Sequence, residues 1–157
     1  MNEVQKKFLD KYLNSLTIEQ RQKHTHFCAD YFCADEINAN LCANLVLAGK
    51  KTATCSMKYW YEKEPEAMPQ VGSLTVVTDW NGNPTSIIEI TEVTESKFSD
   101  VTAEFAASEG EGDRSLEWWR KSHWDFFAQE CMELNIEPSE DMMLVLERFH
   151  VVYRTQM

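Results

Sequence analysis

The sequence lacks the features that would indicate a membrane protein, a disulfide-rich protein or a disordered chain. No run approaches the roughly 18 apolar residues that a membrane span needs, and the first residues contain no signal-peptide core. Glycine occurs 5 times and proline 4 times among 157 residues, while hydrophobic residues make up 43% of the chain. These proportions are typical of a globular protein with a substantial core. We therefore expect one compact, soluble domain in the cytoplasm.

Cysteine is also scarce, and its pattern argues against a disulfide framework. The count of 5 is odd, and no two cysteines form a CxxC pair. The nearest approach to a metal-binding pattern is His24, His26 and Cys28, but no second pair of ligands follows at a suitable spacing. The sequence thus predicts reduced thiols and no bound metal.

Positive charge is scarce in the second part of the chain. Basic residues number 8 against 6 acidic ones in residues 1–60, but 7 against 20 in residues 61–157, and the net charge is -11. A long nucleic-acid footprint normally needs a basic face, because its affinity comes largely from neutralised phosphates. The charge therefore favours a small nucleoside or a short RNA as the ligand and disfavours DNA. Nothing in the sequence indicates a membrane partner.

Helical patterns alternate with strand patterns along the chain. Apolar residues at helical spacing predict helices over residues 4–16, 35–48 and 115–134. Thr17 is suited to cap a further short helix, and Asp113 or Ser115 is suited to cap the last helix. Gly49 stands where a left-handed residue ends the helix over residues 35–48. For the helix over residues 35–48 we expect a buried stripe made of Ile37, Leu41, Leu45 and Ala48.

The strand patterns predict a small sheet. Residues 73–79, 85–93 and 142–153 have the composition of strands, and Asn81-Gly82 predicts a tight hairpin between the first two. A long acidic loop is expected over residues 61–72. Strands separated by helices, with at least one antiparallel hairpin, indicate a compact α+β domain built on a small barrel or a curled sheet.

The segment AGKKTAT at residues 48–54 invites comparison with a phosphate-binding loop, but it does not fit one. That loop needs glycine where this chain has Asn44, and serine or threonine where it has Lys51. What remains is a helix end followed by two lysines and several hydroxyl groups. On an ideal strand Lys51 and Thr54 face opposite sides, so they converge only where the chain bends.

A second polar cluster, EGEGDR at residues 109–114, predicts an acidic turn that leads into a helix. Carboxylates at a helix N-terminus interact favourably with the helix dipole, so capping accounts for Asp113. Three carboxylates and an arginine within six residues also suit a polar site. The residues alone favour helix capping, and a functional site at this cluster is the second interpretation.

Together, GKKTAT at residues 49–54 and EGEGDRSLEWWRKSHWDFF at residues 109–127 resemble the ASCH domain (activating-signal-cointegrator homology) family. The resemblance covers residues 27–153, and within the family it points to the bacterial stand-alone group with added N-terminal helices. It implies an α+β fold with a PUA-like small β-barrel and surrounding helices. The expected division is a helical extension over residues 1–26 and the ASCH domain over residues 27–157.

The resemblance also implies a function. Some family members remove the acyl group from N4-acetylcytidine with a lysine, a threonine three residues later and a glutamate, which correspond here to Lys51, Thr54 and Glu109. In that mechanism Thr54 attacks, Lys51 activates it if burial or Lys50 lowers its pKa, and Glu109 serves the leaving amine. Glu111 is the alternative glutamate, and no cofactor is needed. Other members resemble RNA-binding modules or ribonucleases, which here would act on short single-stranded RNA.

Further residues are expected to contact the substrate, although each also has a structural interpretation. Trp60 is suited to stack on a base or to pack in the barrel. Asp79 is suited to a base edge or to the hairpin turn. Arg114 is suited to a phosphate or to an internal ion pair, and Lys50 and Glu111 complete the predicted set. His123 lies on an apolar stripe, which favours a structural role over that of a general base.

Overall fold

The computed structural model describes residues 1–155, which form five strands and six helices. The helices are α1 (Glu3–Asn14), α2 (Ile18–Gln22), α3 (Glu36–Leu47), α4 (Tyr59–Lys63), α5 (Ala103–Glu109) and α6 (Leu116–Glu133). The strands are β1 (Phe27–Asp30), β2 (Ala53–Met57), β3 (Leu74–Thr78), β4 (Pro84–Lys97) and β5 (Met143–Arg154). Single turns of 3-10 helix occur at Pro65–Ala67 and Phe98–Asp100. None of the helices in this part of the chain is long and apolar enough to cross a membrane.

The strands form one mixed sheet in the order β1-β3-β4-β5-β2. β1 pairs with β3 in parallel, and the other neighbouring strands are antiparallel. The ladder between β4 and β5 shifts register after Ile87 and again after Ile90, and such bulges bend a strand. The predicted α+β class is therefore confirmed, and the bends let the long β4 serve both the β3 side and the β5 side of the sheet.

The N-terminal helix packs on the sheet. Leu9 and Leu13 of α1 are buried against Leu74, Val76 and Ile87 of β3 and β4. Thr17 caps α2 as expected, since its hydroxyl accepts the backbone N–H of Gln20. Residues 1–26 thus share a core with the rest of the chain.

Helix α3 buries a different stripe from the one that we expected. Ile37 is 80% exposed and Leu41 is 49% exposed, whereas the buried residues of α3 are Ala39, Cys42, Ala43 and Val46. These side chains are mostly small and let α3 approach the sheet closely. The prediction for Ile37 and Leu41 was wrong because spacing alone does not reveal which of two adjacent apolar stripes faces the sheet.

The structure adds elements that the sequence patterns did not predict. The strands β1 and β2 form the two edges of the sheet. Helix α4 occupies the start of the expected acidic loop, and α5 precedes the expected acidic turn. Glu109 is therefore the last residue of a helix and not part of a flexible turn. On α6, Trp119 and Phe127 are buried in the main core together with Phe98, and Ser115 is the residue that caps this helix.

Candidate functional site

The connection between α3 and β2 turns Lys51 into the protein. Gly49 has a φ of +75°, the left-handed conformation expected after a helix end. The backbone N–H of Lys51 then donates to the carbonyl of Leu45 at 3.1 Å. Thr52 is fixed from both sides, since its N–H donates to Ser108 at 2.8 Å and its carbonyl accepts from Phe149 at 3.0 Å. As a result the side chain of Lys51 is only 1% exposed.

The Lys51 ammonium group has a partner for each of its protons. Its Nζ lies 2.8 Å from the Ala53 carbonyl oxygen, 3.1 Å from Glu109 Oε1 and 3.0 Å from Glu111 Oε2. The ring of Phe32 lies 5.2 Å from Nζ and covers it on another side. Three acceptors match the three donors of a protonated lysine.

Glu109 is held by the residues around it. It ends α5 and is buried, and its Oε2 accepts the indole N–H of Trp119. The same oxygen lies 3.3 Å from His123 Nε2 and 3.5 Å from Cys55 Sγ. Both carboxylate oxygens are thereby engaged, one by Lys51 and one by the α6 side of the site.

Gly110 makes it possible for two glutamates to reach one lysine. It has a φ of +73°, and a Cβ atom at this position would lie 2.3 Å from the backbone oxygen of Lys50. Only glycine fits such a turn without a shift of backbone. The tight turn lets Glu109 and Glu111, on either side of it, both contact the Lys51 ammonium.

The electrostatics of this cluster differ from the sequence-based expectation for Lys51. Burial favours the neutral amine, but the carboxylates of Glu109 and Glu111 outweigh it and raise the pKa of Lys51. Burial likewise favours a protonated Glu109, but Lys51, His123 and Trp119 lower the pKa of Glu109 to about 2. The condition for Lys51 to act as the base, a pKa lowered by burial or by Lys50, is not met, because two carboxylates contact Lys51 and raise its pKa.

One cavity adjoins this ion pair, and a second one meets it. The smaller, of about 380 Å³, is lined by Lys51, Glu109, Glu111 and His123 among others. The larger, of about 560 Å³, extends along β2 and β5. Both share the side chains of Phe32, Cys33, Thr54, Cys55 and Phe126. Thr54 thus lies where the two cavities meet, and their sizes are typical of small-molecule sites.

A glutamate that sequence reasoning missed lies opposite Thr54. Glu147 of β5 pairs directly with Thr54 of β2 in the antiparallel ladder, and both line the larger cavity. Side chains at paired positions lie on the same face of the sheet, with Cβ atoms about 5 Å apart. Burial, assisted by Glu109 and opposed by Lys51, raises the pKa of Glu147 to about 7. The sequence offered one signal, a charged residue inside the apolar strand pattern, but not its register.

The other predicted substrate contacts divide into two groups. Trp60 lines the larger cavity, and its indole N–H donates to Glu130 at 2.8 Å. Asp79 lines neither cavity and accepts backbone N–H groups of the hairpin turn. Arg114 donates to the carbonyl of Ala107 and not to a carboxylate. Lys50 also lies outside both linings, so the structure does not bring Lys50, Asp79 or Arg114 to the site.

His123 is part of the cavity wall, but its ring is already engaged. Nδ1 lies 2.9 Å from the Trp119 carbonyl oxygen and Nε2 lies 3.3 Å from Glu109 Oε2. The ring also stacks on the indole of Trp119, with centroids 4.3 Å apart. Because both ring nitrogens face acceptors, neither lone pair points into the cavity. This geometry indicates a structural role.

Within the described residues 1–155, two groups of side chains have donor atoms close enough to hold a metal ion. They are Cys33, Cys42 and Glu111, and Cys55, Glu109 and His123, with each set of donor atoms within 4.8 Å. Trp119 and Lys51 already occupy the oxygens of Glu109, and the Lys51 ammonium on Glu111 opposes a second cation beside it. The donor sets therefore fit the ion-pair network better than a metal. Among residues 1–155 no such group forms at His24, His26 and Cys28, the nearest approach to a metal-binding pattern in the sequence.

The chain is similar to proteins of one domain family. The family model described as the ASCH domain matches residues 26–153. The crystal structure of an ASCH domain from Lactobacillus crispatus JV V101 is 56% identical, with 98% of this chain and 97% of that chain covered and a TM-score of 0.95. A protein from Enterococcus faecalis V583, described under the family model DUF984, is 27% identical, with 98% and 91% covered and a TM-score of 0.82. No protein with a curated description matches the chain.

Proposed function

The chain belongs to the ASCH domain family, which has a PUA-like fold, and from this premise we propose that it is an amidohydrolase that removes the acyl group from an N4-acylated cytidine nucleoside. One observation carries the proposal. The buried Lys51–Glu109 ion pair and the Thr54 hydroxyl line one cavity that opens into a second, larger one. A hydroxyl nucleophile that shares a cavity with a fixed positive charge is suited to acyl transfer.

Thr54 is the nucleophile in the proposed reaction, and Lys51 is its electrostatic partner. The Thr54 oxygen attacks the acyl carbon, and negative charge develops on the carbonyl oxygen. Lys51 remains protonated, so it does not accept the Thr54 proton. Its ammonium favours this charge, and a direct hydrogen bond to the oxygen would replace the one to the half-buried Glu111. Glu109 is ionised at neutral pH and has no proton to give, so it holds Lys51 in position.

Glu147 is the proposed general base and acid, which transfers the Thr54 proton. It lies opposite Thr54, and its raised pKa makes it a suitable proton acceptor near neutral pH. It takes the proton of the Thr54 hydroxyl and passes it to N4 of cytidine, so that the amine leaves in neutral form. A water molecule then attacks the Thr54 ester, again with Glu147 as the base, and the free acid is released.

The larger cavity is suited to the nucleoside. Trp60 and Phe126 offer aromatic faces on its wall, and aromatic rings stack on bases regardless of sequence. Its volume of about 560 Å³ suits one nucleoside. The net charge of -11 repels a phosphate polymer, which supports a nucleoside over long RNA as the substrate.

The direct test is hydrolysis of N4-acetylcytidine by the purified chain, followed by chromatography. We expect cytidine and acetate in equal amounts, at a rate that changes little between low and high salt. N4-methylcytidine, which has no acyl group, is the matched control and should stay intact. If no cytidine forms while short single-stranded RNA binds with a steep salt dependence, the RNA-binding or ribonuclease alternative replaces this proposal.

The proposed role of Glu147 predicts a specific pH dependence. Below about pH 7 Glu147 is protonated and cannot accept a proton, so kcat/KM should rise with pH and level off above about pH 7. Glu147→Gln should lower kcat about 10²–10⁴-fold and abolish this limb of the profile. Glu137→Gln, at an exposed position away from both cavities, is the control and should keep the wild-type profile. An unchanged limb in Glu147→Gln would assign the proton transfer to another group.

A further inference from the structure

Two thiols lie in contact at the edge of the Lys51 site. Cys33 is exposed in the loop between β1 and α3, Cys42 is buried on α3, and their sulfur atoms are 3.4 Å apart. Both are free thiols. We propose that Cys33 and Cys42 are a redox-active dithiol that forms a reversible disulfide by exchange with a small-molecule disulfide, and that this bond fixes the loop that walls the Lys51 site.

The bond needs only a small movement of one partner. A disulfide requires a sulfur–sulfur distance of about 2.05 Å, so the two sulfurs must approach by about 1.4 Å. Cys42 is fixed within a packed helix, whereas Cys33 lies outside the helices and strands. Cys33 has a φ of +69°, which residues other than glycine adopt only when their surroundings impose it. The loop is thus held in a conformation that presents the Cys33 sulfur to Cys42.

The two thiols differ in the way that an attacking and a resolving cysteine differ. The hydrogen bond between them lowers the pKa of Cys33, and the same bond together with burial raises the pKa of Cys42. Cys33 is also the partner that solvent reaches. Because the thiolate is the nucleophile, Cys33 reacts first and Cys42 second.

The exchange balances in two steps. The Cys33 thiolate attacks one sulfur of the small disulfide, whose S–S bond breaks, and one small thiolate leaves while the other half stays on Cys33. Cys42 then attacks the Cys33 sulfur and gives its proton to the second small thiolate as that thiolate leaves. Two electrons pass from the protein dithiol to the small disulfide, which ends as two thiols after protonation.

The bond would act on the wall of the site. Phe32, next to Cys33, covers the Lys51 ammonium, and Phe32 and Cys33 line both cavities. The Cys42 sulfur also lies 3.5 Å from Glu111 Oε1, and bond formation removes the S–H that donates to this oxygen. Oxidation therefore fixes the loop and alters the contacts of Glu111. This inference does not depend on the reaction that the site performs.

The remaining cysteines supply the controls. Cys28 is exposed but contacts the Thr75 hydroxyl, Cys55 contacts Glu109, and Cys131 contacts the sulfur of Met57. Cys28 is therefore an exposed thiol that has no thiol neighbour among the contacts of residues 1–155. Cys28→Ser is the matched control for Cys33→Ser, and both exposed positions tolerate serine.

The test exposes the purified full chain to mixtures of oxidised and reduced glutathione and maps the cysteine peptides by mass spectrometry after the free thiols are blocked. We expect a peptide that joins Cys33 to Cys42 in the wild type and in Cys28→Ser, and its loss after dithiothreitol. Cys33→Ser should give no internal bond, and Cys42→Ser should stop at a glutathione adduct on Cys33. A wild-type chain that retains the adduct on Cys33, or joins other cysteines, would overturn the proposal.

Hydrogen exchange tests the effect on the loop. The amides of residues 31–35 should exchange several-fold more slowly after oxidation in the wild type and in Cys28→Ser, but not in Cys33→Ser. Formation of the bond with no change in exchange over this loop would refute its role in fixing the wall. Neither measurement uses the nucleoside substrate, so the outcome is separate from that of the hydrolysis assay.

Discussion

Replacement of Lys51 by methionine is expected to lower the free energy of unfolding by about 3–5 kcal/mol. Methionine has a similar length but no charge, so Glu109 would remain buried without its cation. An uncompensated buried carboxylate is among the most costly defects in a folded protein. Urea denaturation of the wild type and of Lys51→Met, monitored by circular dichroism, measures the difference in the free energy of unfolding.

The neighbouring Lys50 provides a closely matched control. Lys50→Met removes the same charge one residue earlier, where the side chain is exposed, and should change stability by less than about 0.5 kcal/mol. The double variant Lys51→Met with Glu109→Gln should recover part of the loss, because no lone charge then remains buried. Equal denaturation midpoints for Lys51→Met and Lys50→Met would show that the ion pair does not stabilise the fold.

The same comparison has a predicted pH dependence. The folded-state pKa of Glu109 is lowered to about 2 from an ordinary value of 4.5, so its stabilising contribution is present above pH 4.5 and is lost as the pH falls toward 2. The gap between wild type and Lys51→Met should therefore narrow over that interval. If this difference in stability stays constant with pH, the effect of Lys51→Met does not depend on the charge of Glu109.

Replacement of Thr54 by alanine is expected to reduce turnover of N4-acetylcytidine by at least about 10³-fold. Removal of the nucleophile leaves only the charge of Lys51 and substrate binding to assist direct attack by water. The fold should persist, because Thr54 is half-buried on a strand and loses only a small polar group. The measurement is single-turnover chromatography on chains that are shown to be folded.

Two variants make the Thr54 result specific. Thr54→Ser keeps a hydroxyl at the same position and should retain measurable turnover, whereas Thr52→Ala removes an exposed hydroxyl from the same segment and should act as wild type. Acid-quenched wild-type enzyme should also carry an acetyl group on the peptide that contains Thr54. If Thr54→Ala turns over substrate at the wild-type rate, the nucleophile is not Thr54.

Local features of the fold followed from the sequence. The cap at Thr17 and the left-handed Gly49 were predicted at the positions where the structure has them, and Ser115 is one of the two caps predicted for the last helix. Each depends on hydrogen bonds or steric limits within a few residues, so neighbouring sequence is sufficient to specify it. The strands β4 and β5 were found from apolar patterns that extend over many residues, and the shorter β3 from its pattern together with the Asn81-Gly82 turn signal.

Predictions that required knowledge of a packing partner were less successful. The expected stripe of α3 was wrong because the sheet selects its small residues, and the pattern contains no information about the sheet. The short strands β1 and β2 were not delimited because their partners lie far away in the sequence. The strands β1 and β2 are too short to show a clear pattern, and no hairpin turn signal joins them to a neighbour, as Asn81-Gly82 joins the equally short β3 to β4.

The sequence by itself determined the family and the residues to examine, because GKKTAT and the EGEGDR segment are long local motifs. The tertiary structure alone decided how those residues are charged and which groups accompany them. Lys51 is separated from Glu109 by 58 positions, and Thr54 meets Glu147 only through the β2–β5 register. The pKa of a side chain depends on the charges and the burial that surround it in space, and those are fixed only when distant segments pack together.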